Sequence, residues 1–507
     1  MADSDLFIDI VAPNGQRYKQ PRGLFINNEF VRSSEGKTIA SIDPGTDTEI
    51  ASVYAASTED VDTAVKAAQK ALKDPSWKLL PGTDRGRLMS RLADLIEEKK
   101  ELFATIDAWD NGKPYQVALN EDLPEAIGTI RYYSGWADKT FGQTISTTHA
   151  KFAYTLRQPI GVVGQIIPWN YPLSMAAWKL GPALACGNTV VIKAAEQTPL
   201  SILVLGTLIA EAGFPPGVVN IINGYGKEAG AALVAHPLVD KIAFTGSTVT
   251  AREIMKLAAG TLKNITLETG GKSPLLVFPD ADIEQAVKWS HFGIFSNQGQ
   301  ICTATSRILV HEQIFDKFVD QLKAAIKTTS KIGSQWEEST FQGPQVTRAQ
   351  YERVLSYIES GISEGATIAA GGSPVSSSLS DAHKDGYFIN PTIFTNVKDS
   401  MRIYREEIFG PVVVVVAFAS EEEAIQRAND TTYGLGAAVF TRDLERAHRV
   451  AAEIEAGMVW VNSSQDCDPR IPFGGVKQSG IGRELGEAGL EAYTQTKAVH
   501  VNMGTKL

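Results

Sequence analysis

A regular alternation of short β-branched runs and helical stretches between residues 160 and 280 constrains the fold of this chain most. Runs that contain β-branched residues occur at 189–192, 218–222 and 242–245, and a helical stretch at 201–212 separates the first two. A glycine or proline break adjoins each run. Strand–helix–strand alternation of this kind predicts a parallel sheet with helices on its faces.

A second alternating zone follows, with strand-like runs at 275–278, 307–310, 412–418, 437–440 and 458–461. Because 507 residues exceed what one compact core usually holds, we predict an α/β protein with two doubly wound parallel-sheet domains. Residues 150–157 and 488–502 are interpreted as extended segments without a core of their own, which favours a role in a subunit interface. A helix at 57–73 capped by Ser57 and a Ser-rich surface loop at 373–380 complete the prediction.

Composition excludes several classes of partner. The formal net charge is −10 with the acids scattered, so we expect no nucleic-acid partner. No run of about 18 apolar residues occurs, so no membrane span is predicted. Three cysteines, early acids and no basic leader at the start indicate a reducing compartment, and we predict a cytoplasmic protein without a metal site. The final Thr505, Lys506 and Leu507 resemble, weakly, a peroxisomal Ser-Lys-Leu signal.

Two side chains suggest chemistry. Cys302 is a thiol in a polar stretch with a glycine and small residues around it, and Glu268 lies 34 residues earlier beside two glycines. A thiol is a strong nucleophile, and a carboxylate activates either the thiol or a water molecule. The structural alternative is that Cys302 is a small buried hydrophobe.

Four further motifs carry polar groups at predicted turns. Asn170 lies between aromatic residues and is suited to donate to an oxyanion, although Asn is also common in turns. Lys193 and Glu196 follow the run at 189–192, where nucleotides bind in parallel sheets, and otherwise form a solvated loop. Gly246 and Ser247 open a helix whose free N–H groups suit phosphate. The fourth motif, Glu407 with Phe409, precedes the apolar run at 412–416. Its carboxylate and ring are suited to contact a sugar and a flat heterocycle. The alternative is that the charge protects the edge of the strand against pairing with other chains.

Together and in this order, these motifs resemble the NAD(P)-dependent aldehyde dehydrogenase superfamily, and most of all its cytosolic and mitochondrial non-phosphorylating branch. The resemblance runs from Phe25 to the terminal strand. It implies a Rossmann-like NAD-binding domain at 1–139 and 160–271, a catalytic domain at 272–484, and a small β oligomerisation element at 140–159 and 485–507. It also implies a small-molecule aldehyde as substrate and a homotetramer or homodimer as the assembly.

The resemblance also implies roles for individual residues. Cys302 is then the nucleophile, Glu268 the general base, Asn170 an oxyanion donor, and Lys179 with Glu484 a proton path. The residues implied for NAD are Ile167, Pro168, Trp169, Lys193, Glu196, Gly226, Phe244, Gly246, Ser247, Gln350, Arg353, Glu407 and Phe409. NADP is possible but weaker, because the Glu196 carboxylate repels a 2′-phosphate and Lys193 only partly offsets it.

The substrate tunnel departs from the family pattern. The implied walls are Tyr171, Ser174, Trp178, Ser296, Cys467 and Phe473, with serine at 174 and 296 where bulkier residues are usual. Acidic residues near the mouth resemble those of aminoaldehyde and betaine-aldehyde dehydrogenases: Asp122, Glu125, Asp466 and Asp468. The alternative is that the last two are solvated loop acids.

Other departures are Ala251, where the family has glycine, and Thr269 after the base. Ala251 is expected to alter how the helix packs at the phosphate site, and Thr269 to have little effect.

Three classes of function remain open from the sequence alone. The leading hypothesis is NAD-dependent oxidation of an aldehyde to a carboxylic acid through a cysteine thiohemiacetal and thioester, with aminoaldehydes or betaine aldehyde as the more specific alternative. A thiol esterase activity through the same Cys302 is the second. A non-catalytic protein that keeps the fold is the third, and the intact Cys302, Glu268, Asn170, Lys193 and Glu407 argue against it.

Overall fold

The computed structural model describes residues 5–375 and 381–507. The predictions for residues 1–4 and for the Ser-rich loop at 376–380 concern parts outside the described residues. Among the described helices, none combines the length and apolarity that crossing a membrane requires.

The strands are β1 Phe7–Val11, β2 Arg17–Pro21, β3 Leu24–Ile26, β4 Glu29–Val31, β5 Thr38–Asp43, β6 Thr48–Tyr54, β7 Thr144–Ile145, β8 Lys151–Pro159, β9 Val162–Ile166, β10 Thr189–Lys193, β11 Val219–Ile222, β12 Lys241–Thr245, β13 Asn264–Glu268, β14 Pro274–Val277, β15 Arg307–His311, β16 Thr367–Ala370, β17 Thr392–Thr395, β18 Val412–Phe418, β19 Gly436–Phe440, β20 Met458–Val461, β21 Gly480–Ile481 and β22 Thr494–Asn502.

The helices are α1 Thr58–Lys73, α2 Pro75–Lys78, α3 Gly82–Glu98, α4 Lys100–Asn111, α5 Tyr115–Val117, α6 Leu123–Ser134, α7 Pro172–Ala185, α8 Leu200–Glu211, α9 Ala231–Ala235, α10 Thr248–Ala258, α11 Ile283–Phe295, α12 Phe315–Thr329, α13 Arg348–Ser363, α14 Arg402–Arg405, α15 Glu421–Asn429, α16 Leu444–Glu453 and α17 Gly486–Glu491.

The first sheet has the strand order β21-β13-β12-β9-β10-β11-β3-β4. Its five central strands, β13 to β11 in that order, are parallel, and buried apolar residues pack on both faces. The predicted strands at 189–192, 218–222 and 242–245 are confirmed as β10, β11 and β12, and the helix at 201–212 as α8, each within one residue. The helix at 57–73 is confirmed as α1, whose cap Ser57 accepts from the N–H of Asp60 while the Asp60 carboxylate accepts from that of Ser57.

The second sheet has the order β16-β17-β18-β15-β14-β19-β20. All its pairings are parallel except that of β16 with β17. Valine and isoleucine dominate these strands because both faces are covered, and two further apolar clusters fill the space between sheet and helices. The five strands predicted in this zone are confirmed as β14, β15, β18, β19 and β20. The α/β class with two parallel-sheet domains is therefore confirmed.

A third, three-stranded sheet has the order β22-β8-β7, and β22 pairs with β8 over nine residues. The prediction that 488–502 is extended throughout is wrong at its start, because α17 is helical up to Glu491. Leu490 and Tyr493, three residues apart, are buried in an apolar cluster that packs on the first sheet. A side chain at Gly489 would lie 2.3 Å from the Tyr133 hydroxyl, so a glycine is what allows α17 to pack this closely.

Candidate active site

The parallel strands of the first sheet reverse their order between β9 and β12. These strands are neighbours, yet β10 and β11 lie between them in the chain. Ligands of open α/β sheets bind where the order reverses, outside the carboxyl ends of the strands. Beyond β9 the chain runs through Pro168, Trp169 and Asn170, and beyond β12 through Gly246 and Ser247. The topology therefore brings two of the predicted motifs together.

The second sheet contributes the opposite wall with the loops that enter its strands. Cys302 lies before β15, Glu407 and Phe409 before β18, and the glycine pair Gly270 and Gly271 before β14. A cavity of about 510 Å³ lies between these loops and the carboxyl edge of the first sheet. The lining residues that the sequence analysis had named are Asp122, Glu125, Pro168, Trp169, Asn170, Tyr171, Trp178, Gly246, Ser247, Glu268, Thr269, Ser296, Cys302, Gln350, Arg353, Glu407, Phe409, Cys467, Phe473 and Glu484.

A strained turn presents Cys302 to this cavity. Asn297, Gln298 and Gly299 have consecutive left-handed conformations, with φ of 47°, 60° and 70°. Such residues persist only when the surroundings hold them. Asn297 Nδ2 donates to the carbonyls of Asn170 (3.1 Å) and Gln300 (3.2 Å), and Asn170 Nδ2 donates to the Gln300 carbonyl at 2.9 Å. The loop of the thiol and the loop of Asn170 thus fix each other, and one amide hydrogen of Asn170 remains for a ligand.

Burial raises the pKa of the Cys302 thiol well above its ordinary value, and the carboxylates of Glu407 and Glu268 raise it further. The thiol therefore holds its proton at neutral pH. Since only the thiolate is a good nucleophile, reaction at this thiol requires a group that accepts the proton.

Glu268 ends β13 and is 3% exposed. Among the described residues, neither of its carboxylate oxygens has a hydrogen-bond partner. Burial raises the pKa of this carboxyl well above its ordinary value, and the nearby Glu484 carboxylate adds to the shift. Side chains at Gly474 or Gly480 would lie 2.6 Å and 3.5 Å from the carboxylate, so glycines leave it room to turn.

A buried ion pair lies behind Glu268. Lys179 Nζ, on α7, donates to Glu484 Oε1 at 2.5 Å and to Thr245 Oγ1 at 2.6 Å. Both charged side chains are almost fully buried, at 0% and 3% exposure. A pair buried this deeply is held by its mutual attraction and hydrogen bonds, so it keeps a fixed charge arrangement next to Glu268.

The loop with Glu407 and Phe409 is held from two sides. Glu407 Oε1 accepts the N–H of Gly271 at 3.0 Å, and burial raises the pKa of Glu407 to about 7. Gln350 Nε2 donates to the Phe409 carbonyl at 2.7 Å, and Arg353 donates to the Glu407 carbonyl at 3.2 Å. Gln350 and Arg353 therefore position this loop as well as line the cavity.

The remaining residues predicted for NAD lie around the carboxyl edge of the first sheet. Lys193 Nζ is buried and donates to Glu196 Oε2 at 3.2 Å. The Ile167 N–H donates to the Lys193 carbonyl at 3.2 Å. Gly226 is exposed and opens a π-helical turn, and a side chain there would meet nothing within 4 Å. Phe244 is buried, and its ring lies where a side chain at Gly246 would be.

The two departures from the family pattern, Ala251 and Thr269, lie at this edge of the sheet. Ala251 is buried in the first turn of α10, packed in the apolar cluster that includes Phe244, while Ser247 caps the helix through the Thr250 N–H. The Thr269 hydroxyl donates to the Gln478 carbonyl at 2.6 Å.

The substrate side of the cavity differs from the prediction at one wall. Tyr171, Trp178, Ser296, Cys467 and Phe473 line it, but Ser174 is not among its lining residues in the described chain. Ser174 is buried, and its hydroxyl donates to the Asp122 carbonyl at 3.3 Å. The lining residues that the sequence analysis had not named are Val117, Glu121, Met175, Thr245, Gly270, Phe292, Asn297, Ile301, Thr303 and Gln465. Phe292 lies one helical turn before Ser296 and supplies an aromatic wall, and the four-residue spacing was the available signal.

The acidic residues predicted at the mouth are mostly neutralised. Asp122 forms a buried ion pair with Lys113. Asp468 pairs with Arg470 at 2.6 Å, and neither it nor the exposed Asp466 is among the described lining residues. Asp466 and Asp468 therefore fit the alternative that they are solvated loop acids, whereas Asp122 and Glu125 line the cavity.

Glu125 is the exception among these acids. It lines the cavity and accepts from Trp178 Nε1 at 2.5 Å, and burial raises its pKa to about 7. At neutral pH this carboxyl carries part of a negative charge.

Comparison with known proteins gives the class. The model of the aldehyde dehydrogenase family matches residues 30–499. An aldehyde dehydrogenase of Aspergillus niger is 52% identical over 506 residues, which cover 99% of this chain and 100% of the relative. The NAD⁺ complex of an aldehyde dehydrogenase from Bacillus cereus superposes with a TM-score of 0.93 at 50% identity, covering 95% of this chain and 96% of the other. A betaine aldehyde dehydrogenase of Staphylococcus aureus in complex with NAD⁺ superposes with a TM-score of 0.94 at 40% identity, covering 96% and 99%.

The chain therefore belongs to the aldehyde dehydrogenase family. It is an NAD-dependent enzyme that oxidises small-molecule aldehydes.

Proposed function

We propose that this enzyme oxidises its aldehyde at Cys302, with Glu268 as general base and Asn170 as oxyanion donor. One observation carries the proposal: these three side chains, from two loops and the end of β13, line one cavity together with Glu407 and Phe409. A fold alone does not require that convergence, which argues against a non-catalytic protein. A thiol esterase would use the same Cys302 and is expected as a side activity.

The first step is attack of the thiol on the carbonyl carbon. Glu268 removes the thiol proton, and the sulfur–carbon bond forms as the carbonyl π bond opens to an oxyanion. The remaining amide hydrogen of Asn170 stabilises that oxygen. Because burial opposes ionisation of both the thiol and the base, binding of an aldehyde next to Cys302 is needed to make the proton transfer favourable.

The residues of the cavity fit NAD. The Glu407 carboxylate is fixed by the Gly271 N–H and is suited to accept from a ribose hydroxyl, while Trp169 and Phe409, with ring centroids 5.3 Å apart, provide a flat apolar surface. Lys193 with Glu196 suits the second ribose, and Gly246 with the N-terminus of α10 suits phosphate. When bound, NAD supplies the carbon that accepts hydride from the tetrahedral adduct, which leaves a thioester on Cys302.

Hydrolysis of the thioester completes the reaction. Glu268 takes a proton from a water molecule, whose oxygen adds to the carbonyl carbon, and the sulfur leaves as a thiolate that recovers its proton. Lys179 and Glu484 are proposed as the part of the proton route that lies next to Glu268, since their buried pair lies beside it. Loss of the thioester as a carboxylate makes the oxidation effectively irreversible.

The proposed substrates are aldehydes of broad structure, and aldehydes with a cationic tail are the second candidate. Glu125 supports the second candidate, because it is a partly charged carboxyl in the cavity wall beside Trp178. Tyr171, Trp178 and Phe473 add aromatic faces to which a cation is attracted.

Assembly and location are also proposals. β8 and β22 expose Phe152 (43%), Leu156 (41%) and Val501 (37%), which favours burial against further copies of the chain in a homodimer or homotetramer. The cytoplasmic location stays a prediction from the sequence, as does a peroxisomal role for Thr505, Lys506 and Leu507.

The proposed roles are tested with Cys302→Ala and Glu268→Gln. Cys302→Ala is expected to abolish dehydrogenase and esterase activity while NAD still binds, because loss of a nucleophile costs several orders of magnitude. Glu268→Gln is expected to accumulate an acyl-enzyme, detected by mass spectrometry. Retention of more than about 1% of turnover in Cys302→Ala removes that residue from the role. An acyl-enzyme that never accumulates in Glu268→Gln contradicts the assignment of the base.

A further inference from the structure

A row of polar side chains leads away from Glu268 between two neighbouring strands. β12 and β13 pair in parallel, with Lys241 opposite Asn264, Ala243 opposite Thr266, and Thr245 opposite Glu268. Residues two apart in a strand share a face. Asn264, Thr266 and Glu268 therefore lie in one line on the face that also carries Lys241.

Hydrogen bonds connect the outer part of this row. Lys241 Nζ donates to Thr266 Oγ1 at 2.6 Å and to Asn264 Oδ1 at 2.7 Å. Lys241 is fully buried, whereas Asn264 is exposed. The row therefore begins at solvent and ends at the carboxylate of Glu268. Thr266 and Glu268 are about 6.6 Å apart along the strand, a gap that one water molecule spans.

Other charged and titratable groups face the same region. Lys179 on α7 and Glu484 lie close enough to affect the charge of Lys241, Tyr493 places its ring 5.2 Å from Lys241 Nζ, and Arg483 lies beside Glu268. Burial lowers the pKa of Lys241 to about 7, the Lys179 cation contributes to the lowering, and Glu484 opposes it. An amine with this pKa gains and loses a proton readily at neutral pH.

We propose that Lys241 and the Thr266 hydroxyl relay protons between Glu268 and solvent at Asn264. This inference rests on the proposed role of Glu268 as the base. Hydrolysis of the thioester transfers a proton from water to Glu268, and that proton must leave before the next turnover. Thr266 passes it by accepting one proton and donating its own to the neutral amine of Lys241. Lys241 is buried, so it gives the proton to water that reaches the exposed Asn264 side chain beside its amine. Lys241 does not touch the substrate, so it is a positioning residue that acts through Glu268.

Lys263 shows what a purely structural buried lysine looks like in the same sheet. Its Nζ donates to the carbonyls of His236 (2.6 Å) and Val239 (2.9 Å) and to Thr261 Oγ1 (2.6 Å), at the end of the sheet away from Glu268. Backbone carbonyls accept hydrogen bonds but do not pass protons on. Lys263→Met is therefore a matched control for Lys241→Met.

The experiment measures hydrolysis of the acyl-enzyme in single-turnover reactions of the full-length enzyme across neutral and alkaline pH, in H₂O and in D₂O. Lys241→Met is expected to slow hydrolysis about tenfold or more and to enlarge the solvent isotope effect, with the burst of NADH formation retained. Lys241→Arg keeps the positive charge and the hydrogen bonds but cannot lose its proton, so it is expected to be as slow. Lys263→Met is expected to hydrolyse the acyl-enzyme at the wild-type rate.

Thr266 gives a second test that does not depend on how the lysine variants fold. Thr266→Val removes the hydroxyl at nearly constant volume and is expected to slow hydrolysis, whereas Thr266→Ser keeps the hydroxyl and is expected to restore it. Hydrolysis of the acyl-enzyme at the wild-type rate in Lys241→Met or Thr266→Val overturns the relay. A wild-type rate in Lys241→Arg overturns it as well. Failure of the wild-type enzyme to form any acyl-enzyme would instead refute the proposed function itself.

Discussion

Gly270→Ala is expected to weaken NAD binding through a single displaced carboxylate. A Cβ atom at Gly270 would lie 2.1 Å from Glu407 Oε2 and 2.5 Å from its Cδ, so the Glu407 side chain must move. This movement breaks the 3.0 Å hydrogen bond that Glu407 Oε1 accepts from the Gly271 N–H. A hydrogen bond to a charged group contributes about 1.5–3 kcal/mol. Since about 1.4 kcal/mol is a factor of ten, the Kd of NAD should rise roughly 10- to 100-fold.

The assay is titration of the free enzyme with NAD at a pH above 7, where Glu407 is charged, by calorimetry or by quenching of tryptophan fluorescence. Gly260→Ala is the control, because its new side chain would meet nothing within 4 Å, and its NAD affinity should equal that of the wild type. In a Glu407→Gln background, Gly270→Ala should weaken binding little further. An unchanged Kd in Gly270→Ala, or an equal loss with and without the Glu407 carboxylate, would refute the reasoning.

Four further outcomes are expected. Because burial raises the pKa of Glu407 to about 7, its charged form is lost as pH falls below 7; the Kd of NAD should rise there, and Glu407→Gln should flatten the pH dependence. Glu196 should make kcat/KM higher with NAD than with NADP, and equal or higher values with NADP would contradict its role. Deleting residues 494–507 leaves β8 paired only with the two-residue β7 and should give aggregates or inactive monomers, so a soluble, fully active monomer would show that the strand is dispensable. Glu125→Gln should raise KM for 3-aminopropanal relative to hexanal by up to about fivefold, with Asp468→Asn as the control; equal KM changes for both aldehydes would remove the cationic class.

The main strands and the cavity's central residues were predictable because they depend on local patterns. The strands β10, β11 and β12 are β-branched runs, and chemistry at the ends of parallel strands must meet at one edge. The strand β13, which carries Glu268, was not predicted, although its alternating polar and apolar residues are typical of a strand. Its outer partner β21 comes from more than 200 residues later, and no local pattern signals that pairing.

Two differences from the sequence analysis on the substrate side have different causes. The phase of α7 places Met175 and Trp178 on the cavity face and turns Ser174, one position earlier, toward Asp122. Asp122 itself is neutralised by Lys113, nine residues earlier, and no local pattern signals that pair. Tertiary packing sets which face of a helix points into a cavity and which side chains of different elements pair. A single sequence does not show that packing.

The pairing of β13 with β21 ties the timing of synthesis to the assembly of the active site. The strand carrying Glu268 leaves the ribosome early, but Gly480 and Ile481, which close its edge, follow 212 and 213 residues after Glu268. At 5–20 residues per second, the gap lasts roughly 10–40 s. During that time the edge of the first sheet presents unpaired backbone groups, which is the state in which strands join other chains. The nascent chain therefore presents an open sheet edge until Glu268, the proposed base, is enclosed.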